Sequence, residues 1–378
     1  MKNVETLEGR TRLFVPKVSL EKREPPTTPV FFNPAAAVNR DISVAITEAS
    51  SGISFCDALA GVGSRGIRVA REVRRTMQVA LVDFNAESLR LARRSAKLNG
   101  VGRKCNVVHH EANSYLYSRF GRDEKFDFLD IDPFGTPVPY IQSAFSAISA
   151  GGILSFTATD TAVLCGVYPR VAKRRYGAST LNNAFHHETA VRVLVDSCRR
   201  LAAALDIGIA PLAAHATRHY VRVYMRADVG ATKADATAAH EGYVMECRAC
   251  RHIFSADTVM LGCVKCGGRV SHAGPLWVGS LVDEPLVKQA VQACERLGYS
   301  EAAETLGSLT TLDAFPPYGY SIEAACSSLG IASVAPSKVV SALASMGFRS
   351  GVQPFEKSGL KTDATYRDVV AAVKEASA

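Results

Sequence analysis

Hydrophobic and polar positions follow two different spacings along the first half of the chain. Short apolar runs occur at residues 53–59 and 79–84, and each precedes a stretch whose apolar residues recur at helical spacing. Further short runs lie at residues 106–111, 126–132 and 153–159. Strands that alternate with helices of this length predict right-handed βαβ units and a parallel sheet.

The pattern changes near residue 228, where the sequence ADVGATKADATAAHEG is small and polar. A chain of 378 residues exceeds the usual size of one domain. We therefore predict an α/β domain over residues 1–235 and a smaller α+β domain over residues 236–378. Within the second domain, residues 316–370 predict two helices and then a basic hairpin-like segment, which together indicate a winged-helix-like module.

The stretch DFLDIDPFGTP at residues 127–137 runs from a predicted buried strand into Asp130, Asp132, Pro133 and Phe134. In an open parallel sheet, ligands bind in the crevice outside the carboxyl ends of the strands, so these side chains are well placed for chemistry. The alternative is an ordinary turn with solvated acids, because Asp and Pro are common loop residues.

A glycine motif lies between the first predicted strand and the helix after it. Gly61, Gly63 and Gly66 read GxGxxG, and Asp83 ends the second predicted strand. Such a turn lets the backbone approach a nucleotide-like ligand, and the carboxylate can accept hydrogen bonds from both ribose hydroxyls of NAD or S-adenosylmethionine. A purely structural glycine turn is the alternative.

The Asp-Pro-Phe sequence distinguishes between the two cofactors. Methyltransferases that act on the exocyclic amines of bases place a short carboxylate or amide, a proline and an aromatic residue after the fourth strand, whereas a nicotinamide enzyme has no need of them. An aromatic amine attacks a methyl group better when an acceptor holds its N–H and a stacked ring fixes the base. We therefore expect Asp132 to accept the amine hydrogen and Phe134 to stack on the base.

A second aromatic cluster lies upstream, in VFFNPAAAVNRD at residues 30–41. Phe31 and Phe32 form either a functional pair or a hydrophobic staple. Together, FFNP with NRD, DALAGVGSRGIR, LDIDPFGTP and SGLKTDA resemble the tRNA (guanine-26-N2)-dimethyltransferase family over nearly the whole chain. The resemblance implies a Rossmann-like class I methyltransferase domain over residues 1–235, S-adenosylmethionine as the cofactor and tRNA as the partner.

The same resemblance implies roles for particular residues. Asp132 would be the catalytic carboxylate, and Phe31 and Phe134 would hold the target guanine. The residues implied to contact or line the cofactor site are Arg40, Asp57, Gly61, Gly63, Arg65, Asp83, Phe84, Glu111, Ala112 and Asp130. Glu111 departs from the family, because an aspartate is associated with this position.

Four cysteines in the second half form two CxxC pairs separated by twelve residues: Cys247, Cys250, Cys263 and Cys266. This spacing predicts a tetrahedral Zn²⁺ in a zinc ribbon over residues 243–272. Four sulfur ligands leave no open position, so the metal would be structural. The alternative is four thiols without metal. The other cysteines are scattered through apolar contexts and are predicted to be reduced core residues.

The formal net charge of +8 and the pI near 9.0 favour a polyanionic partner. The basic residues of residues 170–179 and of the C-terminal module are candidate phosphate contacts, and a solvated charged face is the alternative. The module's candidates are Lys338, Arg349, Lys357 and Lys361.

The absence of a long apolar run predicts a cytoplasmic protein without a membrane span, and nothing in the pattern indicates an obligate protein partner.

The predicted function is the transfer of one or two methyl groups from S-adenosylmethionine to the exocyclic N2 of a tRNA guanine, at position 26 by resemblance. Two alternatives remain open. One is an amino-group methyltransferase that acts on another base of DNA or RNA. The other is a zinc-ribbon nucleic-acid-binding protein whose α/β half has no catalytic activity.

Overall fold

A computed structural model describes the chain except at residues 1, 23, 25, 28, 76, 218, 357 and 378 and the side chain of residue 313. The first 230 residues contain a hairpin and a seven-stranded sheet. Numbered along the chain, the hairpin consists of β1 (Asn3–Glu8) and β2 (Thr11–Pro16). The strands of the sheet are β3 (Ser54–Asp57), β4 (Gln78–Asp83), β5 (Cys105–His109), β6 (Phe126–Ile131), β7 (Ile148–Ala158), β8 (Ile207–Ala216) and β9 (Val221–Val229).

The strand order of this sheet is β5-β4-β3-β6-β7-β9-β8. The first five strands in that order are parallel, whereas β9 is antiparallel to both β7 and β8. The α/β class is therefore confirmed, and the predicted parallel sheet is correct for the first five strands but wrong for β9, which makes the sheet mixed. A short loop joins β8 to β9, and such a loop can connect only antiparallel neighbours, because parallel strands need a long crossover.

The order of the strands reverses between β3 and β6, which are neighbours although β4 and β5 separate them in sequence. A crevice forms at such a switch point, outside the carboxyl ends of the strands. Below the crevice the two strands pack together in the core, where Phe55 and Phe128 stack with their ring centroids 5.0 Å apart. Burying one such side chain contributes about 1.5–3 kcal/mol to folding.

Helices fill the connections between the strands and most of the C-terminal part. They are α1 (Val18–Glu21), α2 (Ala37–Ala49), α3 (Ser64–Glu72), α4 (Ala86–Leu98), α5 (Ala112–Tyr117), α6 (Ile141–Ala147), α7 (Thr161–Leu164), α8 (Pro169–Tyr176), α9 (His186–Ala203), α10 (Ala231–Ala238), α11 (Glu284–Leu297), α12 (Ser300–Ser308), α13 (Ile322–Leu329), α14 (Pro336–Ser345) and α15 (Tyr366–Ala376). Short 3₁₀ turns lie at Pro34–Ala36, Val138–Tyr140 and Leu309–Ala314. Among the described residues, no helix has the length and apolar character needed to span a membrane.

The C-terminal part contains two small antiparallel sheets. The first has the order β11-β10-β12 and consists of β10 (Glu241–Cys247), β11 (Ile253–Ala256) and β12 (Val270–Trp277). The second has the order β13-β15-β14 and consists of β13 (Tyr320–Ser321), β14 (Ser350–Val352) and β15 (Gly359–Thr362). Helices α13, α14 and α15 accompany the second sheet, in line with the predicted helices and hairpin. The winged-helix-like assignment stays a prediction.

The predicted boundary region does not separate two independent bodies. Helix α10 begins directly after β9 and packs tightly on β8, since a Cβ at Gly208 would lie 2.4 Å from the carbonyl oxygen of Lys233. Helices α11 and α12 lie against α2, and one hydrophobic core extends from β2 to α15. The limits 1–235 and 236–378 stay a prediction.

Candidate functional site

The glycine turn between β3 and α3 lies at the switch point. Gly61 and Gly63 have φ angles of 53° and 76°, which favour glycine. A Cβ at Gly66 would come within 2.3 Å of Leu81 Cδ2, so this helix must carry a glycine to pack on β4. The backbone conformation therefore requires glycine at positions 61 and 63, and packing requires it at position 66. The predicted cofactor contacts of Gly61 and Gly63 stay predictions.

Asp83 and Phe84 lie beside this turn at the end of β4. The Asp83 carboxylate accepts hydrogen bonds from the backbone N–H of Gly61 at 2.7 Å and of Asn85 at 2.8 Å. These bonds fix the carboxylate at the rim of the crevice, where a ribose is held in related folds. The Phe84 ring is 73% exposed next to it. Both residues lie where a nucleoside could bind.

Asp57 ends β3 and is buried beneath the N-terminal turn of α3. Its carboxylate accepts a hydrogen bond from the backbone N–H of Gly66 at 3.2 Å. Burial, together with the negative charge of Asp130, raises the pKa of Asp57 to about 7. A cation bound nearby would favour the ionised form, so this carboxyl is sensitive to a positively charged ligand.

A chain of ion pairs leads from the core to the crevice. The Asp130 carboxylate is fully buried and accepts hydrogen bonds from Arg222 and from the Ser155 hydroxyl. Its second oxygen lies 2.7 Å from Arg65 Nε, and Arg65 also pairs with Asp132 through Nη2. We call Arg65, Asp130, Asp132 and Arg222 the crevice network.

Asp132 is the member of this network that reaches solvent, with 32% of its side chain exposed. Burial would raise its pKa, but the positive charges of Arg65 and Arg222 and a hydrogen bond from Thr157 lower it below its usual range. Asp132 is therefore ionised at neutral pH and can accept a hydrogen bond at the rim.

Arg222 is absent from the predicted site residues. It is fully buried in β9 and also donates hydrogen bonds to the hydroxyls of Thr157 and Tyr224. The sequence carries one signal for it: an arginine in the apolar strand VRVYM, where a buried cation must find a partner. Which carboxylate it meets depends on the pairing of β7 with β9.

The two predicted aromatic side chains are brought together. Phe31 and Phe134 have ring centroids 4.8 Å apart, with one ring edge against the other face at 76°. The loop of Phe134 is anchored, because the Gly135 N–H donates to the Thr159 hydroxyl at 2.6 Å and the Thr159 N–H donates back at 2.8 Å. Phe32 differs from Phe31, since it is buried in the core.

Arg40 lies in α2 and is buried. Its guanidinium donates to both carboxylate oxygens of Glu8, at 2.6 and 2.5 Å, and to the carbonyl oxygen of Asn33 at 2.9 Å. Glu8 therefore fixes Arg40 beneath the segment that carries Phe31. A contact between Arg40 and the cofactor stays a prediction.

Glu111 and Ala112 begin α5 at the next strand end. The Glu111 carboxylate caps the helix by accepting from the N–H groups of Asn113 and Ser114 at 2.9 and 2.8 Å. Partial burial would raise its pKa, but these hydrogen bonds lower it. The longer side chain of glutamate thus reaches its own helix terminus, and Ala112 is buried directly behind it. Their predicted place near an adenine stays a prediction.

The four clustered cysteines converge at one end of the β11-β10-β12 sheet. Their sulfur atoms all lie within 4.8 Å of one another, with Cys247 and Cys266 at 3.6 Å and Cys250 and Cys263 at 3.7 Å. A tetrahedral zinc with Zn–S bonds of 2.3 Å requires sulfur atoms about 3.8 Å apart. The Cys250 N–H also donates to Cys247 Sγ, as in a metal-binding knuckle. The donor set therefore fits Zn²⁺.

The predicted phosphate contacts have different environments. Lys338 and Arg349 are exposed, although Arg349 pairs with Asp363 at 3.0 Å. Lys357 lies outside the described residues. The prediction for Lys361 is wrong: this side chain is fully buried, and its amino group donates to both oxygens of Glu188 at 2.9 Å.

Comparisons with known proteins cover nearly the whole chain. A family model described as N2,N2-dimethylguanosine tRNA methyltransferase matches residues 9–374. A tRNA (guanine(26)-N(2))-dimethyltransferase of Methanopyrus kandleri is 35% identical over 97% of this chain and 96% of its own. The corresponding enzyme of Methanosarcina mazei is 33% identical over 96% of each chain.

A solved structure extends this likeness to three dimensions. Trm1 from Pyrococcus horikoshii, in complex with S-adenosyl-L-methionine, matches with a TM-score of 0.84 and 30% identity, over 98% of this chain and 99% of that one. The likeness includes both the sheet with its crevice and the C-terminal part. The chain belongs to the N2,N2-dimethylguanosine tRNA methyltransferase family.

Proposed function

We propose that this protein transfers methyl groups from S-adenosylmethionine to the exocyclic N2 of a guanine in tRNA, at position 26. The observation that carries the proposal is the crevice itself: in a member of this family, an ionised carboxylate and two facing aromatic rings lie beside the glycine turn. One or two methyl groups are added to each guanine. Neither alternative fits this family, whose description names guanosine N2 in tRNA as the methylated position: not methylation of another base of DNA or RNA, and not a zinc-ribbon protein without catalytic activity.

The cofactor occupies the carboxyl ends of β3, β4 and β5. Asp83 accepts hydrogen bonds from the ribose hydroxyls, because its carboxylate is already oriented there by the N–H groups of Gly61 and Asn85. Phe84 and Ala112 line the adenine. Asp57 presents negative charge toward the cationic sulfonium and ammonium groups of the methionine end, and Asp130, whose charge Arg65 and Arg222 compensate, lines the same pocket.

Asp132 acts on the target base. Its carboxylate accepts a hydrogen bond from the guanine N2–H, which increases electron density on N2 and orients it for attack. An N–C bond forms as the bond between sulfur and the methyl carbon breaks, and the N2 proton passes to the carboxylate or to water. Arg65, which now pairs with Asp132, holds the carboxylate in place throughout.

Phe31 and Phe134 hold the base. In their present edge-to-face contact no flat base fits between them. The rings must therefore part and turn their faces toward the guanine. Leaving the tRNA stack costs a few kcal/mol, which stacking on these rings partly offsets.

Cys247, Cys250, Cys263 and Cys266 hold a structural Zn²⁺. The sulfur spacing supports this assignment, and the ion would fix the ends of β10 and β12. The exposed basic side chains Lys173, Arg174 and Lys338 contact the phosphates of the tRNA body.

The decisive experiment is mass spectrometry of nucleosides after incubating unmodified tRNA with protein and cofactor. We expect N2-methylguanosine and N2,N2-dimethylguanosine, and their loss when guanine 26 is replaced. Duplex DNA and tRNA with other bases at this position serve as controls. Methylation of adenine or cytosine, or no methyl transfer at all, would contradict the proposal.

A further inference from the structure

A second cluster of metal-binding side chains lies away from the ribbon. Cys165 follows α7, and His186 and His187 are the first residues of α9. Glu356 joins them from the loop between β14 and β15, nearly 170 positions later in the chain. Residues from three segments therefore meet where the loop before β15 contacts the start of α9.

The geometry of this cluster suits one cation. Cys165 Sγ and one ring nitrogen from each histidine all lie within 4.8 Å of one another. Glu356 Oε1 is 2.6 Å from His187 Nδ1 and 3.8 Å from His186 Nε2. Cys165 is buried and the two imidazoles are mostly buried, so water competes weakly for these atoms.

The hydrogen bonds of the imidazoles prepare them as ligands. His186 Nδ1 lies 2.5 Å from the carbonyl oxygen of Asn183, which can only accept, so the proton is on Nδ1 and the lone pair on Nε2 is available. Glu356 likewise accepts from Nδ1 of His187. A carbonyl or carboxylate on the second nitrogen is the usual arrangement behind a metal-bound histidine.

We propose that Cys165, His186 and His187 bind one zinc-type divalent cation, with Glu356 as the carboxylate that orients His187. Thiolate and imidazole are the ligands that Zn²⁺ prefers. The thiolate and the Glu356 carboxylate together neutralise the charge of a divalent ion. The ion ties the start of α9 to the loop before β15 and so joins the catalytic part to the C-terminal part.

A simple ion pair between the histidines and Glu356 is the competing explanation, and it gives Cys165 no role. The test is the zinc content of the full-length protein after dialysis against excess Zn²⁺ and removal of weakly bound ion. We expect about one ion less in His187→Gln and in Cys165→Ala than in the wild type. Cys198→Ser, a buried cysteine on α9 outside the cluster, is the control and should lose none. Equal content in all four proteins would overturn the proposal.

The difference in zinc content between the wild type and these variants does not depend on whether the four cysteines of the ribbon also hold a zinc ion. In addition, Glu356→Gln should keep the ion at saturation but weaken its binding by about 10- to 100-fold, the typical effect of losing such a partner. If a variant fails to fold, X-ray absorption of the zinc-loaded wild type still decides. A mixed sulfur and nitrogen shell supports the proposal, and an all-sulfur shell overturns it.

Discussion

Two buried ion clusters in this chain use the same kinds of side chains for different ends. The crevice network of Arg65, Asp130, Asp132 and Arg222 runs from the core to the rim, and its last carboxylate is 32% exposed. In the second cluster, Glu188 accepts from Lys361, Arg192 and Gln353, and its side chain has no exposed surface. We call Glu188, Arg192, Gln353 and Lys361 the junction network.

The difference shows what an ion cluster needs in order to do chemistry. The junction network is closed: strong partners surround Glu188, and they lower its pKa although burial opposes this. It joins α9 to β15 and has no free approach for a ligand. The crevice network is open at Asp132, and near it Asp57 has a pKa raised to about 7. An open end and a carboxyl that titrates near neutrality suit a binding site.

The largest expected effect comes from opening the junction network. Lys361→Met leaves the Glu188 carboxylate buried with less positive charge beside it and should lower the free energy of unfolding by roughly 3–5 kcal/mol. Glu188→Gln together with Lys361→Met should recover part of this loss, and turnover per folded molecule should stay near normal. Urea denaturation measures the change. A decrease in the free energy of unfolding below about 1 kcal/mol would show that Lys361 does not stabilise the fold by compensating the buried charge of Glu188.

Asp132→Ala removes the exposed carboxylate of the crevice network. Turnover on tRNA should fall by about 10²-fold or more, because the positioned proton acceptor is lost. Its stability should change little, because the buried Arg65 keeps Asp130, Asn39 and Ser43 as partners. Asp123→Ala, at an exposed carboxylate outside the crevice, is the matched control. Single-turnover methylation measures the effect. Near-normal turnover would show that Asp132 has no catalytic role and is an ordinary turn residue.

Phe134→Ala tests whether the aromatic ring at the rim of the crevice positions the target base. Loss of one stacking partner should weaken the placement of the base and lower kcat/KM for tRNA roughly tenfold. Binding of S-adenosylmethionine should be unchanged. The matched control is Phe120→Ala, because Phe120 is similarly exposed but lies outside the crevice. Equal effects of the two variants would rule out a specific role for Phe134.

The pH dependence of cofactor binding tests the raised pKa of Asp57. A cationic cofactor favours the ionised carboxylate, so its affinity should rise with pH through about 7, by up to roughly tenfold between pH 6 and pH 8. Calorimetric titration measures this. Asp57→Asn should flatten the profile, and a flat profile in the wild type would show that the cofactor does not sense this carboxyl.

The smallest expected effect concerns the exposed basic surface, which neither network includes. Replacing both Lys173 and Arg174 by Ala should reduce the slope of log affinity for tRNA against log salt concentration by about one to two. Lys288→Ala, on the exposed face of α11, should leave the slope unchanged. Filter binding over a range of salt concentrations measures both, and an unchanged slope would place the tRNA on another face.

Local chemistry in the sequence was sufficient to predict much of this protein. The alternation of strands and helices, the GxGxxG turn and the two CxxC pairs depend on residues within one or two elements, so their spacing predicted the α/β class, the glycine turn and the cysteine cluster. The meeting of Phe31 with Phe134 was also predicted, but through the family resemblance, since nothing in their spacing brings them together.

What the tertiary structure decided involves partners far apart in the chain. Arg222 meets Asp130 only because β9 pairs antiparallel with β7, and Arg40 is fixed by Glu8 from the N-terminal hairpin. Lys361 looks like an ordinary surface lysine in sequence, yet it is buried against Glu188. The sequence determines the charge of each side chain. Whether that charge faces water or a buried counterion depends on which distant elements pack against it, because this packing sets the free-energy cost of removing the charge from water.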